Sequence, residues 1–477
     1  MRRLRTSVPS RSITTDREFW LGNGHPAAKW KGLLDDVRVY RRALTAEEIK
    51  RLPGLSIQSL LAIDLADRNA EQSRRVREFY LAEHAPAEWR EPYQSLGNLK
   101  QELATRERDV PTVMVMREQK KTRETRLLVR GAYNKPGEIV RADTPAALTS
   151  LEGDLPRNRL GLARWLVDSK HPLTARTTVN RFWQMYFGRG LVRTPEDFGL
   201  QGAPPSHPDL LDWLATEFVG GGWDIKAIQK LIVTSATYRQ SSAVTPERLQ
   251  RDPDNRLLAR GPRKRLSAEQ IRDQALSVGG LLVQTIGGPS VRPYQPAGLW
   301  REVAFDFSGA NLTAQVYEQD VGAKLYRRSV YTFWKRTAPP PTMLLFDAPD
   351  RERCVVRREQ TSTPLQALAL MNDPTFVEAA RKLAERMMTE VRGGPQERTH
   401  WGFCLVTARD PSQRERSALV DLFERQRARF ASNAGWCDEW LAVGASPPDE
   451  SLDRSELAAY SVVASVMLNL DETITTH

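Results

Sequence analysis

From Pro156 onward one pattern governs the chain: apolar residues recur at helical spacing, and many of the runs open on a capping residue. Val179, Phe182, Trp183 and Tyr186 fall at i, i+3, i+4 and i+7, and Gly188 closes the run. Ser206 is placed to cap a helix carrying Leu210, Leu211, Leu214 and Phe218, stopped at Gly220-Gly221-Gly222. Asp224 is placed to cap the next, with Ile225, Ile228, Leu231 and Ile232. Ser267 with Gln270, Thr363 with Gln366 and Ser412 with Glu415 are spaced as capping boxes, and Asp373-Pro374 reads as a further start. Leu457, Ser461, Ala464 and Leu468 mark a last packed helix. One island departs from this period. Arg328 to Trp334 alternates polar and apolar residues as a strand would, with Ala304 to Phe307 as its expected partner and the stiff Pro339-Pro340-Pro341 turn after it. The expected fold class is therefore mainly α, a multi-helix domain with a small β insertion.

The segment before this domain reads differently. Asp35 to Tyr40 alternates like a half-buried strand, and Thr45-Ala46-Glu47-Glu48 has the spacing of a capping box. The run Gly32-x-x-Asp35-Asp36-Val37-Arg38-Val39-Tyr40, continuing to Ile49, resembles the closing strands of a concanavalin A-like (LamG) jelly roll. Such a jelly roll needs two sheets to bury its faces, so residues 13–52 are expected to be a truncated C-terminal remnant. Residues 53–155 are expected to be a helical and β linker region. Glu71 to Glu83 forms one amphipathic helix in this reading, Pro86 and Pro92 interrupt it, and Leu96 to Glu107 resumes it. Thr112 to Met116 and Thr125 to Val129 suit a strand pair, and Pro136 to Leu155 an extended linker. The helical domain fills 156–477.

Whole-chain numbers exclude several classes. The 477 residues contain 40% hydrophobic residues and 12 tryptophans, which favours folded domains over disorder. No run approaches the roughly 18–20 apolar residues that span a bilayer, so no membrane span is expected. The net charge is +11, but only 14 of the 70 basic residues are lysine, and the arginines are interleaved with 59 acids. A nucleic-acid binder concentrates its charge on one face or arm, so nucleic acid is not the expected partner. Cys354, Cys404 and Cys437 lie far apart, without Cys-x-x-Cys-His or a zinc-type spacing, and the chain is expected to attach no haem, to hold no metal and to carry no cofactor. Met1 to Arg17 lacks the apolar core of a signal peptide. Phosphate loops, Gly-x-Ser-x-Gly elbows and dinucleotide fingerprints are absent.

Several stretches, taken in order, resemble one family. They include Asn158 to Leu166, His171-Pro172-Leu173-Thr174-Ala175-Arg176, Val179 to Gln184, Phe187 to Val192, Pro205 to Leu211 and Ile232 to Arg239. Gly287 to Val291, Phe346 to Arg351, Thr363 to Leu368 and Leu468 to Glu472 continue the series. Together they resemble the planctomycete domain-of-unknown-function family (PSD-one type) found beside planctomycete-type cytochrome c domains. The resemblance implies a large exported protein, periplasmic or extracellular at full length, with a cytochrome c domain protein or a cell-surface polysaccharide as partner. It supplies no catalytic residues. The missing signal peptide, haem motif and jelly-roll strands imply a misassigned start codon or an incomplete gene fragment, with truncation the favoured expectation.

Candidate chemistry therefore rests on the residues themselves. The loop 346–358 is the densest polar cluster. Asp347 and Asp350, three residues apart, can serve as acid and base on a glycan or bind a hard cation, or they can simply pair with Arg351, Arg353 and their neighbours. Glu269 and Asp273 flank Arg272 on one helix and can complete such a site with Asp347, or form ordinary helix-surface ion pairs. His171 and His207 each precede a proline at a helix start and offer a general base, though helix entry explains both. Arg181, Trp183 and Trp165 can make a stacking platform for sugar or haem, with core packing the alternative, and Arg351 and Arg357 are further binding candidates. The expectation is an exported accessory or binding module in a cytochrome- or glycan-associated assembly. A polysaccharide-acting enzyme using the 346–358 carboxylates is the alternative, and polyanion binding the second alternative.

Overall fold

The computed structural model describes residues 44–45, 56–110, 112–119, 123–151, 155–302 and 316–476. The jelly-roll remnant at 13–52 and the strand expected at 304–307 fall outside them, but for Leu44 and Thr45. The chain divides into two compact units, 1–120 and 121–477.

In the first unit, α1 (Ala70–Phe79) opens on a capping box between Asn69 and Gln72 and runs into a single π turn at Tyr80–His84. Ala85 ends that turn in an extended conformation before α2 (Ala87–Asp109). Pro86 separates the two helices as expected, but Pro92 does not break the second. It lies inside α2 near its start, where it removes one backbone donor and long propagation follows.

The second unit starts with a two-stranded antiparallel sheet, β1 (Thr125–Leu128) paired with β2 (Pro136–Val140). This corrects two expectations. Residues 112–116 are not the partner of β1 and lie in irregular chain, and the start of the supposed linker is a strand. Arg130 and Gly131, at φ 51° and 73°, fold the backbone back between the strands. Pro136 occupies the first strand position, where a missing N–H is tolerated.

Two large hydrophobic cores follow, beside a small cluster of Leu276, Leu325 and Tyr326. After α3 (Arg159–Leu166), the first core is built by α4 (Thr174–Phe187), α5 (Pro208–Gly220) and α6 (Ile225–Thr234) around Val179, Trp183, Leu214, Phe218, Ile228 and Ile232. Gly188 ends α4 in the left-handed conformation and Asp224 caps α6 through Lys226 and Ala227 N–H, as the sequence predicts. Ser206 does not cap α5. His207 holds that position without a side-chain cap, and Pro208 at the first helical position leaves one fewer donor to satisfy.

The second core gathers α7 (Ala268–Val278), α8 (Pro364–Asn372), α9 (Pro374–Glu390), α10 (Pro395–Thr407), α11 (Gln413–Ser432), α12 (Ala434–Leu441) and α13 (Arg454–Leu468). Helices α9 and α13 lie at its centre, with alanines at 379, 380, 384, 458, 459 and 464 all fully buried, so side-chain bulk does not hold the two backbones apart. Phe423 of α11 stacks on Tyr460 of α13 with centroids 4.1 Å apart. The predicted capping boxes at Ser267 and Ser412 form in full, while at Thr363 only its N–H meets the Gln366 side chain, at 3.4 Å.

The β island at 328–334 is a correction. Ser329–Tyr331 is a 3-10 turn, and among the described residues Val291 pairs beside it, through its N–H to the Tyr331 carbonyl and its carbonyl from Phe333 N–H. The reason is local. Buried Arg272 takes the carbonyls of Leu325 and Arg327, and Asp273 takes Ser329 N–H at 2.7 Å, so those groups are not free for a partner strand.

One surface network yields a pH prediction. Arg409 bridges Glu415 at 2.7 Å and Glu472 at 2.7 Å, tying the end of α10 to the start of α11 and to the short helix Asp471–Ile474. The Arg409 guanidinium, with Ser412, pushes the Glu415 carboxyl down to about 2. A depressed carboxyl stabilises the fold above its ordinary value near 4.5, and that contribution disappears as pH falls toward 2. Both partners are about a third exposed, so screening reduces the effect to about 1 kcal/mol. Denaturant unfolding of wild type and Glu415→Gln should differ by that amount at pH 6 and converge near pH 2. A constant gap would contradict the linkage.

Candidate functional site

The carboxylates singled out in the sequence all have intrachain donors. Asp347 sits at φ 62° just past the short helix Pro341–Leu345, and its carboxylate accepts from Thr361 N–H at 2.8 Å and Thr361 Oγ1–H at 2.9 Å. Asp350 accepts from Glu352 N–H at 3.0 Å, while its carbonyl accepts from Trp334 Nε1–H at 3.1 Å. Arg351 lies over the Trp334 ring at 4.6 Å, and Arg357 is exposed on the loop. Glu269 is bound by both guanidinium nitrogens of Arg358, at 2.6 and 3.1 Å. Burial is the largest single influence and raises its pKa, but the hydrogen bonds from Arg358, its own N–H and Ser267, with the Arg358 charge, together hold it below the ordinary range. Asp273 serves Ser329 N–H and lies 3.6 Å from Arg328. Asp347 and Asp350 thus bind within the loop itself, and the Arg358–Glu269 pair ties the loop to α7.

The histidines lie at helix entries. His171 is buried against Trp165, with ring centroids 4.4 Å apart, and its Nδ1 accepts from Thr174 N–H at 3.1 Å. His207 Nδ1 lies 3.0 Å from Ser206 Oγ. Trp165 is buried and donates to the Thr149 carbonyl. Arg181 is exposed, whereas Trp183, two residues further along α4, is only 4% exposed, so the two do not form one platform.

Trp183 does, however, help line an open pocket with about 50 Å³ of internal room. Phe187 lies on Trp183 at 4.1 Å with rings 6° from parallel, and Tyr238 meets the Phe187 edge at 5.7 Å. One wall is the segment 189–193, held by buried Asn180, which donates to the Val192 carbonyl at 3.1 Å and accepts Val192 N–H at 2.8 Å. Gly190 has no side chain because a Cβ there would meet Asn180 and the Val192 carbonyl at 2.6 Å. The turn 254–258 also lines it. Asp252 accepts Arg256 and Leu257 N–H, both at 2.8 Å, and Asn255 donates to the Arg260 carbonyl at 2.8 Å. Asn255 and Leu258 both take left-handed φ, at 51° and 57°.

The rim is cationic. Arg189, Arg193 and Arg256 surround a single lining carboxylate, Asp254, which Arg189 binds at 2.8 Å and holds below the ordinary carboxylate range. An aromatic floor with exposed guanidinium groups suits a ring bearing hydroxyls and an anionic substituent. Asp254 is the one carboxylate among the lining residues, and Ser206, whose hydroxyl lies 3.0 Å from His207 Nδ1, is the one lining hydroxyl. Ligand atoms of metal-binding type converge elsewhere, at His400, Cys404 and Asp410, none of which lines it.

Of the pocket residues, only Trp183 is legible in the sequence as a candidate. Arg189, Arg193 and Arg256 sit in turns that sequence reading leaves unconnected, and the Arg189–Asp254 pair joins distant segments. The one signal is the turn-rich Asp252-Pro253-Asp254-Asn255 itself.

A family model described as "Protein of unknown function (DUF1553)" matches residues 158–423, which contain the whole pocket. A second, the concanavalin A-like lectin/glucanases superfamily, matches residues 2–50. No curated protein and no solved structure matches the chain.

Proposed function

The chain belongs to the DUF1553 family of proteins of unknown function, and from that premise we propose that it is a non-catalytic accessory module that holds an acidic cell-surface glycan for an exported assembly. The observation that carries this reading is the arginine-rimmed pocket over Trp183 and Phe187. A sugar ring rests on aromatic carbon, and a uronate or sulfate group meets Arg193 and Arg256, both of which line the pocket. The match of residues 2–50 to a lectin and glucanase superfamily supports a carbohydrate context. A periplasmic or extracellular place for the full-length protein follows from that ligand. Among the described residues no helix is long and apolar enough to cross a membrane.

The test is retention and calorimetric titration with pectate and chondroitin sulfate, using dextran as the neutral control. Charge-assisted hydrogen bonds contribute about 1.5–3 kcal/mol each, so Arg193→Ala and Arg256→Ala should each weaken acidic-glycan binding by about 10- to 100-fold. Circular dichroism should be unchanged. Wild-type protein that ignores acidic glycans, or a double variant that binds them normally, would sink the reading. The rival, a glycan-cleaving enzyme working through Asp347, predicts turnover that Asp347→Asn abolishes. The bonds from Thr361 to Asp347 favour a structural role for that carboxylate instead.

A further inference from the structure

Helix α10 places His400 and Cys404 one turn apart on the same face. Ala408, at φ 58°, ends the helix in the left-handed conformation, with its N–H bonded to the Cys404 carbonyl at 2.8 Å. The reversed chain brings Asp410 back over that face. His400 Nε2 lies 3.6 Å from Cys404 Sγ, Cys404 Sγ lies 3.7 Å from Asp410 Oδ1, and His400 Nε2 lies 3.3 Å from Asp410 Oδ1.

These separations have a specific meaning. Zinc bonds sulfur at about 2.3 Å, imidazole nitrogen at about 2.05 Å and carboxylate oxygen at about 2.1 Å, with tetrahedral angles. The corresponding ligand-to-ligand edges are about 3.6 Å for N···S, about 3.6 Å for S···O and about 3.4 Å for N···O. All three observed edges agree with this set to about 0.1 Å. We propose that His400, Cys404 and Asp410 form three corners of a tetrahedral zinc site whose fourth corner is taken by water.

The surroundings suit such a site. The Asp410 side chain is 80% exposed, so water reaches the fourth position. The nearest cation along the chain, Arg409, is engaged by Glu415 and Glu472 and does not compete for Asp410. A thiolate, an imidazole and a single carboxylate favour zinc over magnesium or calcium, which prefer all-oxygen shells. Binding transfers the Cys404 thiol proton to solvent as the sulfur–zinc bond forms. The site is separate from the glycan pocket and stands or falls independently of it.

The experiment uses the full chain, stripped with a chelator and titrated with zinc chloride against a chromophoric competitor. About one zinc per chain is expected, and cobalt in its place should give a thiolate-to-metal charge-transfer band. Loss of an outer-sphere partner already weakens metal binding 10- to 100-fold, so Cys404→Ser and His400→Ala should each weaken it by more than about 100-fold. Asp410→Asn, at an exposed position that cannot unfold the helix, should also weaken zinc, while Cys354→Ser and Cys437→Ser should leave it unchanged. Stripped wild type that takes up no zinc at micromolar concentration, or a Cys404→Ser variant that binds zinc as well as wild type, would mean that hydrogen bonds alone hold the trio together.

Discussion

Replacing Glu378 with alanine is expected to cost the helical unit about 3–5 kcal/mol, the range for breaking a buried charged network by removing one partner. Glu378 lies on α9 with no exposed surface. Its carboxylate accepts from Tyr326 Oη–H at 2.8 Å, Tyr294 Oη–H at 2.9 Å and Ser446 N–H at 2.7 Å, and Arg381 stands 3.9 Å away. Arg381 is itself buried and pairs with Glu385 at 2.9 Å, and Lys382 also reaches Glu385. Two acids and two bases therefore balance, and removing Glu378 leaves a net positive charge beside three donors without an acceptor. The loop after α12 approaches this carboxylate only because Gly444, at φ 96°, carries no side chain. A Cβ there would lie 2.4 Å from the Glu378 carboxyl carbon. Burial already pushes both tyrosine hydroxyls up, so they stay protonated and depend on the carboxylate as acceptor. With unfolding entropy scaling with chain length, the loss corresponds to roughly 5 °C in the melting of residues 121–477. Glu378→Gln, which keeps one acceptor oxygen, should fall between wild type and alanine. Equal melting of all three proteins would show that the buried carboxylate is not what joins α9 to the loops bearing Tyr294, Tyr326 and Ser446.

The same cluster shows which parts of this structure are legible in sequence. Glu378, Arg381, Lys382 and Glu385 sit at i, i+3, i+4 and i+7, a pattern that reads as a solvated helix face, yet Glu378 and Arg381 are among the most buried groups of the chain. Their partners, Tyr294, Tyr326 and Ser446, come from loops distant in sequence, and no local rule connects them. By contrast Ser267 and Ser412 announce their helices because a capping box is complete within four residues. The strand misread at 328–334 has the same cause as the hidden cluster. Polar–apolar alternation is satisfied there by Arg272 and Asp273 on α7, not by a neighbouring strand. For the metal trio, His400 and Cys404 are visible as an i, i+4 pair, but the reversal that delivers Asp410 depends on a left-handed alanine that nothing in the sequence signals. Pocket and trio are therefore assembled by turns, and turns at non-glycine residues are where sequence reading runs out.

Asn180→Ala should lower stability by about 2–4 kcal/mol and weaken acidic-glycan binding by at least about 10-fold, although Asn180 does not line the pocket. The stability part follows from two bonds. Val192 N–H and C=O, in a residue only 2% exposed, both lose their partner, and each unsatisfied buried group costs about 1–3 kcal/mol. The binding part follows from where Val192 lies. It closes the segment that positions Arg189, Leu191 and Arg193, so freeing it lets one wall of the pocket drift from the turn that carries Arg256. Gly190→Ala attacks the same contact from the other side, since its new Cβ would lie 2.6 Å from Asn180 Nδ2. The two changes share that contact, so their costs should not add. Gly190→Ala should be less destabilising in the Asn180→Ala background than in wild type, with a coupling of about 0.5–3 kcal/mol. Chemical denaturation of the four proteins gives the coupling, and titration with pectate gives the affinity. Additive stabilities would separate Gly190 from Asn180, and unchanged affinity in Asn180→Ala would mean that the wall from Arg189 to Arg193 is not held by this side chain.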